Sequence, residues 1–81
     1  MSYYVEIEVH VYDQGPMTTG VGHYLSQDKA RTAAANIDAR LRRGTAKAAL
    51  DEKYGEFGYS LSVVALRLRT PSEAIKELIS P

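Results

Sequence analysis

Residues 3–12 read Tyr3-Tyr4-Val5-Glu6-Ile7-Glu8-Val9-His10-Val11-Tyr12, and the alternation in this stretch decides the fold. Tyr3, Val5, Ile7, Val9 and Val11 fall on one side; Tyr4, Glu6, Glu8, His10 and Tyr12 fall on the other. A period of two in β-branched and aromatic residues is the signature of a half-buried strand. Its length and regularity predict the central strand of a small sheet.

The flanking sequence supplies the rest of the sheet. Asp13-Gln14-Gly15-Pro16 is a dense turn signal, and residues 18–25 read as a second, weaker strand that closes a hairpin. Gly20 and Gly22 mark it as an edge, a bulge or a close backbone approach. Ser26 stands where an N-cap belongs, with Asp28 in the first turn of a helix expected to run to about Arg43. Ala30, Ala33, Ala34, Ile37 and Leu41 give that helix a narrow stripe, mostly alanine, so it can lie close to the sheet. Gly44 is a natural C-terminal stop, and Thr45 is placed to cap a short helix over residues 46–54, ended by Gly55. Residues 59–69 form the last strand. Thr70-Pro71-Ser72-Glu73 is a capping box with proline at the first helical position, and it opens a final helix with Ile75, Leu78 and Ile79 on its apolar edge.

This order predicts an α+β two-layer sandwich: a three-stranded antiparallel sheet of order 2-1-3 with helices packed on it, topology ββα(α)βα. In that frame Val64, Leu66 and Leu68 are expected under the long helix with Val5, Ile7, Val9 and Val11. Leu61, Val63 and Ala65 would then share the outer face with Tyr4, Glu6, Glu8, His10 and Tyr12, and Arg67 and Arg69 would sit near Glu6 and Glu8. An apolar, tyrosine-rich outer face needs a cover: the final helix, a second copy, or a partner protein.

Composition narrows the function. At 81 residues the chain reads as one small domain with a thin margin of stability. It has no cysteine, hence no disulfide framework and no thiolate metal site, which fits a cytoplasmic location. No apolar run approaches a membrane span, and residues 1–20 lack the basic and apolar regions of a signal peptide. The formal net charge is zero, but the charge is polarised. Residues 1–28 hold Glu6, Glu8, Asp13 and Asp28 with no Lys or Arg, whereas residues 29–53 are rich in Lys and Arg.

The basic residues Arg31, Arg40, Arg42, Arg43 and Lys47 invite a nucleic-acid reading. At 100° per residue, however, Arg31 and Arg42 lie on one flank of the long helix and Lys29, Arg40 and Arg43 on the other, and Asp38 is placed to pair with Arg42. His10 and His23, with Glu6, Glu8 or Asp13, lack any metal-ligand spacing. Gly20-Val21-Gly22 is not followed by the lysine and helix start of a phosphate loop, and no serine has the context of a nucleophile. No nucleophile, base and orienting group stand at readable spacing. The leading expectation is therefore a free-standing, non-enzymatic protein-binding module, without cofactor or metal. Its contact would be Tyr4, Glu6, Glu8, His10 and Tyr12 with Leu61 and Val63. Its partner would be a larger protein or complex, including one whose basic groove handles nucleic acid. Proteins of this size occur among phage and mobile-element inhibitors, anti-CRISPR proteins included; that expectation comes from size class alone. The alternatives are a nucleic-acid-binding accessory module that uses the arginines, and a small homo-oligomer, such as a homodimer, with a ligand site at its interface.

Overall fold

The alternating stretch forms β1 (Tyr3–Val11), the middle strand of the sheet. A computed structural model describes residues 2–80 of the chain. A turn follows β1, closed by the Gln14 N–H donating to the Val11 carbonyl at 3.0 Å, with left-handed backbone at Asp13 and Gly15. It leads directly into β2 (Gly15–Tyr24), longer at its start than the turn residues alone suggest. Two helices come next, α1 (Gln27–Leu41) and α2 (Gly44–Tyr54), then β3 (Tyr59–Arg67) and α3 (Pro71–Ile79). The sheet is antiparallel throughout, in the order β2-β1-β3. The architecture is α+β, as the sequence order implies.

Helix boundaries follow local chemistry. The Ser26 hydroxyl accepts from the Lys29 N–H at 3.1 Å and caps α1. That helix stops at Leu41, with Arg42 as its C-cap, so Arg42 and Arg43 lie beyond its last turn. Arg43, not Thr45, is the N-cap of α2, and no side chain caps it. Thr70 begins α3 with the full capping box: the Glu73 N–H donates to the Thr70 hydroxyl at 3.2 Å, and the Thr70 N–H donates back to the Glu73 carboxylate at 3.4 Å.

The core is small and sits between the sheet and α1. Val5 and Val11 of β1 and Ala30 of α1 are fully buried, with Ala34 nearly so. The two alanines bring the helix axis close over β1 and β3, as small residues at a packing contact allow. Further along the same face α2 stands off the sheet and leaves an apolar cleft of about 430 Å³, lined by Ile7, Val9, Met17, Leu41, Leu50 and Tyr54.

The register of β3 overturns one sequence expectation. Val5 lies opposite Ala65, Ile7 opposite Val63, Val9 opposite Leu61 and Val11 opposite Tyr59. Leu61, Val63 and Ala65 therefore share the helix-covered face, while Val64 and Leu66 point outward beside Glu6 and Tyr4. Tyr59 sets this choice. Its hydroxyl donates to Asp51 of α2 at 2.6 Å, so Tyr59 faces the helices and every second residue after it must do the same. The arginines move as well. Arg67 lies opposite Tyr3 and pairs with Glu73, and Arg69 pairs with Glu77 at 2.8 Å; neither reaches Glu6 or Glu8.

Candidate functional site

Four rows of side chains cross the outer face of the sheet. From one end they are Gly22, Tyr4, Leu66; then Gly20, Glu6, Val64; then Thr18, Glu8, Ser62; and last Pro16, His10, Ser60. The β2 column is made of small residues. A Cβ at Gly22 would lie 3.2 Å from the Tyr4 Cβ, so the bare backbone there is what admits Tyr4. The β3 column gives the face its apolar part, Val64 and Leu66, both exposed. Tyr12, just past β1, stands beside His10 with ring centroids 6.4 Å apart.

Among the described residues no helix lies across this face. Ala74 of α3 borders only the corner formed by Tyr4, Leu66 and Leu68, and Ile75, Leu78 and Ile79 are all exposed. The final helix is thus not the cover that the sequence offered as one option. Glu6 and Glu8 form no ion pair among the described residues. The acidic strip, half-buried at Glu6 and Glu8, is flanked by Tyr4, Val64 and Leu66. Of the residues singled out from sequence, Tyr4, Glu6, Glu8, His10 and Tyr12 come together on this side. Leu61 and Val63 do not; they are half-buried on the opposite side of the sheet. Val64 and Leu66 take their places.

The richest polar cluster lies elsewhere, where α2 meets the start of β3. Lys47 donates to both Asp51 oxygens at 2.7 Å, Tyr59 donates to the same carboxylate, and the Lys47 ammonium sits 5.8 Å from the centre of the Tyr59 ring. These groups line an open cleft of about 680 Å³ together with Arg42. Lys47 lowers the Asp51 pKa, with Tyr59 adding to the effect; Asp51 in turn raises the pKa of both Lys47 and Tyr59. Each group is held more firmly in its ordinary charge state, the reverse of what a base or nucleophile requires. This cluster fastens α2 to β3. The spacing of Lys47 and Asp51 was readable in the sequence as an i,i+4 pair, but the contribution of Tyr59 was not.

The basic residues do not gather into one patch. Arg42 pairs with Asp38 at 2.9 Å and donates to the Leu61 carbonyl at 3.4 Å, and Lys47 is taken up by Asp51. Arg31 and Arg40 lie nine residues apart on α1, about 180° around the helix from one another, and Arg43 follows in the linker. Among the described residues no group of three or more His, Asp or Glu comes together that could hold a metal ion, and no helix is long and apolar enough to cross a membrane. The chain matches no family model, no curated protein and no solved structure.

Proposed function

We propose that this protein is a non-enzymatic binding module, acting in the cytoplasm, that uses the open face of its sheet to occupy a basic surface of a larger protein. The observation that carries the reading is the acidic strip Glu6–Glu8, without an ion pair and on a face that no element covers among the described residues. Two carboxylates two residues apart on a strand stand about 7 Å from one another. Tyr4, Val64 and Leu66 beside them supply the apolar contact that a charged strip lacks, and tyrosine brings large area with a polar tip. Arg31 and Arg40 belong to the helical layer on the opposite side of the sheet. The molecule is therefore polarised across its thickness, and its field turns the acidic side toward a positive partner. A groove that normally holds nucleic acid has that chemistry, and filling it would inhibit the partner.

The nucleic-acid alternative has less behind it. Two of its five cations are already paired, and the tyrosines that would stack on bases stand beside Glu6 and Glu8, which repel phosphate.

Pull-down from a bacterial lysate tests the proposal, with wild type beside a Glu6→Lys/Glu8→Lys variant and with nuclease in half of each sample. A captured protein that survives nuclease and disappears with the charge reversal is the expected result. Capture that is indifferent to the reversal would show that the face is wrong. Binding that vanishes with nuclease, and with Glu in place of Arg31, Arg40 and Arg43, would establish the nucleic-acid reading instead.

A further inference from the structure

The two edges of the sheet are built differently. β2 is guarded: it carries Pro16, Gly20 and Gly22, and its register against β1 slips between Tyr3 and Tyr4, all devices that keep an edge from pairing. β3 has none of them. It matches β1 over nine residues without a slip, contains no proline or glycine, and holds no charge before Arg67. Backbone bonds from the Tyr12 N–H to the Gly58 carbonyl and from the Leu68 N–H to the Ser2 carbonyl flank the β1–β3 ladder. Even-numbered residues of β3 therefore aim their backbone groups at β1. Odd-numbered ones (Tyr59, Leu61, Val63 and Ala65) aim theirs at the open edge. Among the described residues, one side-chain hydrogen bond reaches the edge at these four, from exposed Arg42 to the Leu61 carbonyl at 3.4 Å.

Exposed apolar groups stand at both ends of the same strand. Phe57 and Tyr12 are 50 % and 57 % exposed at its start, and Leu78 and Ile79 of α3 are 85 % and 75 % exposed beyond its end. The surface as a whole is too large for a chain of this size. It exposes 6023 Å². A compact monomer of 8.9 kDa exposes about 4,800 Å², a surplus of about 1,200 Å² per chain. Two such surpluses fall in the range of about 2,000–5,000 Å² buried by permanent homodimers.

We propose that β3 pairs antiparallel with β3 of a second copy of this chain, about a two-fold axis at Val63, to give a continuous six-stranded sheet. In that register Val63 faces the partner's Val63, Leu61 faces the partner's Ala65, and Tyr59 faces the partner's Arg67. No like charges oppose one another. Each α3 is carried toward the partner's Phe57 and Tyr12, so the apolar groups at opposite ends of the strand cover each other. A foreign strand would leave one of these ends bare. The guarded β2 becomes the outer edge on both sides, and assembly stops at two. Face-to-face stacking of the sheets is the worse solution, because it sets Glu6 and Glu8 against their own copies. The inference does not depend on the proposed function, and it leaves the acidic face free, doubled on one side of the sheet.

Sedimentation equilibrium on the full chain tests it, with far-UV circular dichroism as the check on folding. Wild type is expected at twice 8.9 kDa. Ala65→Pro removes an edge-facing N–H and no β1–β3 bond, and is expected to give a folded monomer. Leu78→Lys alters a side chain that touches little within its own chain, and is expected to weaken the dimer by about tenfold or more. Glu6→Lys/Glu8→Lys is expected to leave the mass unchanged, which separates failure of this inference from failure of the proposed function. A wild-type monomer at every concentration overturns the proposal, as does a species larger than two chains. A dimer that survives Leu78→Lys undiminished also overturns it, and that variant decides the matter if Ala65→Pro does not fold.

Discussion

Tyr59 does more to determine this structure than its place at the start of a strand suggests. Its hydroxyl donates to the Asp51 carboxylate that Lys47 also holds, ties β3 to α2 and fixes which side of β3 faces the core. One residue earlier, Gly58 has φ +83°, and a Cβ there would lie 2.7 Å from the Tyr12 ring. An L-residue pays for left-handed backbone by roughly 1–2 kcal/mol before any clash, so Gly58→Ala is expected to lower stability by about 2 kcal/mol. Urea unfolding at a fixed protein concentration measures this, as a lower midpoint with an unchanged slope. A loss below about 0.5 kcal/mol would mean that the turn adapts. Neither role could be read from the sequence. Gly58 was visible as a loop glycine, but its contact with Tyr12 depends on a tertiary approach across 46 positions of chain.

At the scale of elements, legibility tracked periodicity. Strand β1 alternates cleanly, the capping box of α3 is spelled out in four residues, and both are found where the sequence puts them. Strand β3 is apolar on both parities, Leu61, Val63 and Ala65 against Val64 and Leu66, so alternation carried no information about which set goes inside. The candidate face inherited that ambiguity: its β1 half was readable, and its β3 half was inverted. Helix α3 offers a test of its own. It has no buried residue, and Glu73 and Glu77 hold it to Arg67 and Arg69. Arg67, followed by the Thr70 N–H and hydroxyl, holds the Glu73 carboxyl down to about 2 from its ordinary 4.5. A group whose folded pKa is depressed stabilises in its charged form. Its contribution is thus complete above about pH 4.5 and is lost as the pH falls toward 2. Carbon chemical shifts of residues 74–79 are expected to lose helical character across that window. In Glu73→Gln they are expected to be less helical at neutral pH and to change little in the same window. Wild-type shifts that remain fully helical at pH 2 would refute the assignment.

The whole molecule is a slab of 42 × 30 × 13 Å with a radius of gyration of 15.0 Å. A compact chain of 81 residues has a radius of about 12 Å. With so thin a core, much of the stability of a dimer would come from association, and the melting temperature is expected to rise with protein concentration. Calorimetry across a hundredfold range of concentration measures this; a constant melting temperature would mean that the single chain is sufficient. Charge, too, is a property at this scale. Zero net charge conceals an acidic sheet face backed by a helical layer with exposed arginines, a separation that composition alone cannot express but that the distribution along the sequence foreshadowed.

The order β2-β1-β3 has a consequence in time. The β1–β2 hairpin closes over three residues, whereas β3 must return to β1 across the 47 residues that separate Val11 from Tyr59. Local pairing is fast and long loops close slowly, so the hairpin forms first and the strand with the unguarded edge is captured last. Until then the segment Leu61-Ser62-Val63-Val64-Ala65-Leu66, six residues without charge, proline or glycine, has both edges open. Helices α1 and α2 make up that connection, and the bond from Tyr59 to Asp51, only eight positions apart, holds β3 to α2 and not to β1, so the β1–β3 ladder itself must close the interval.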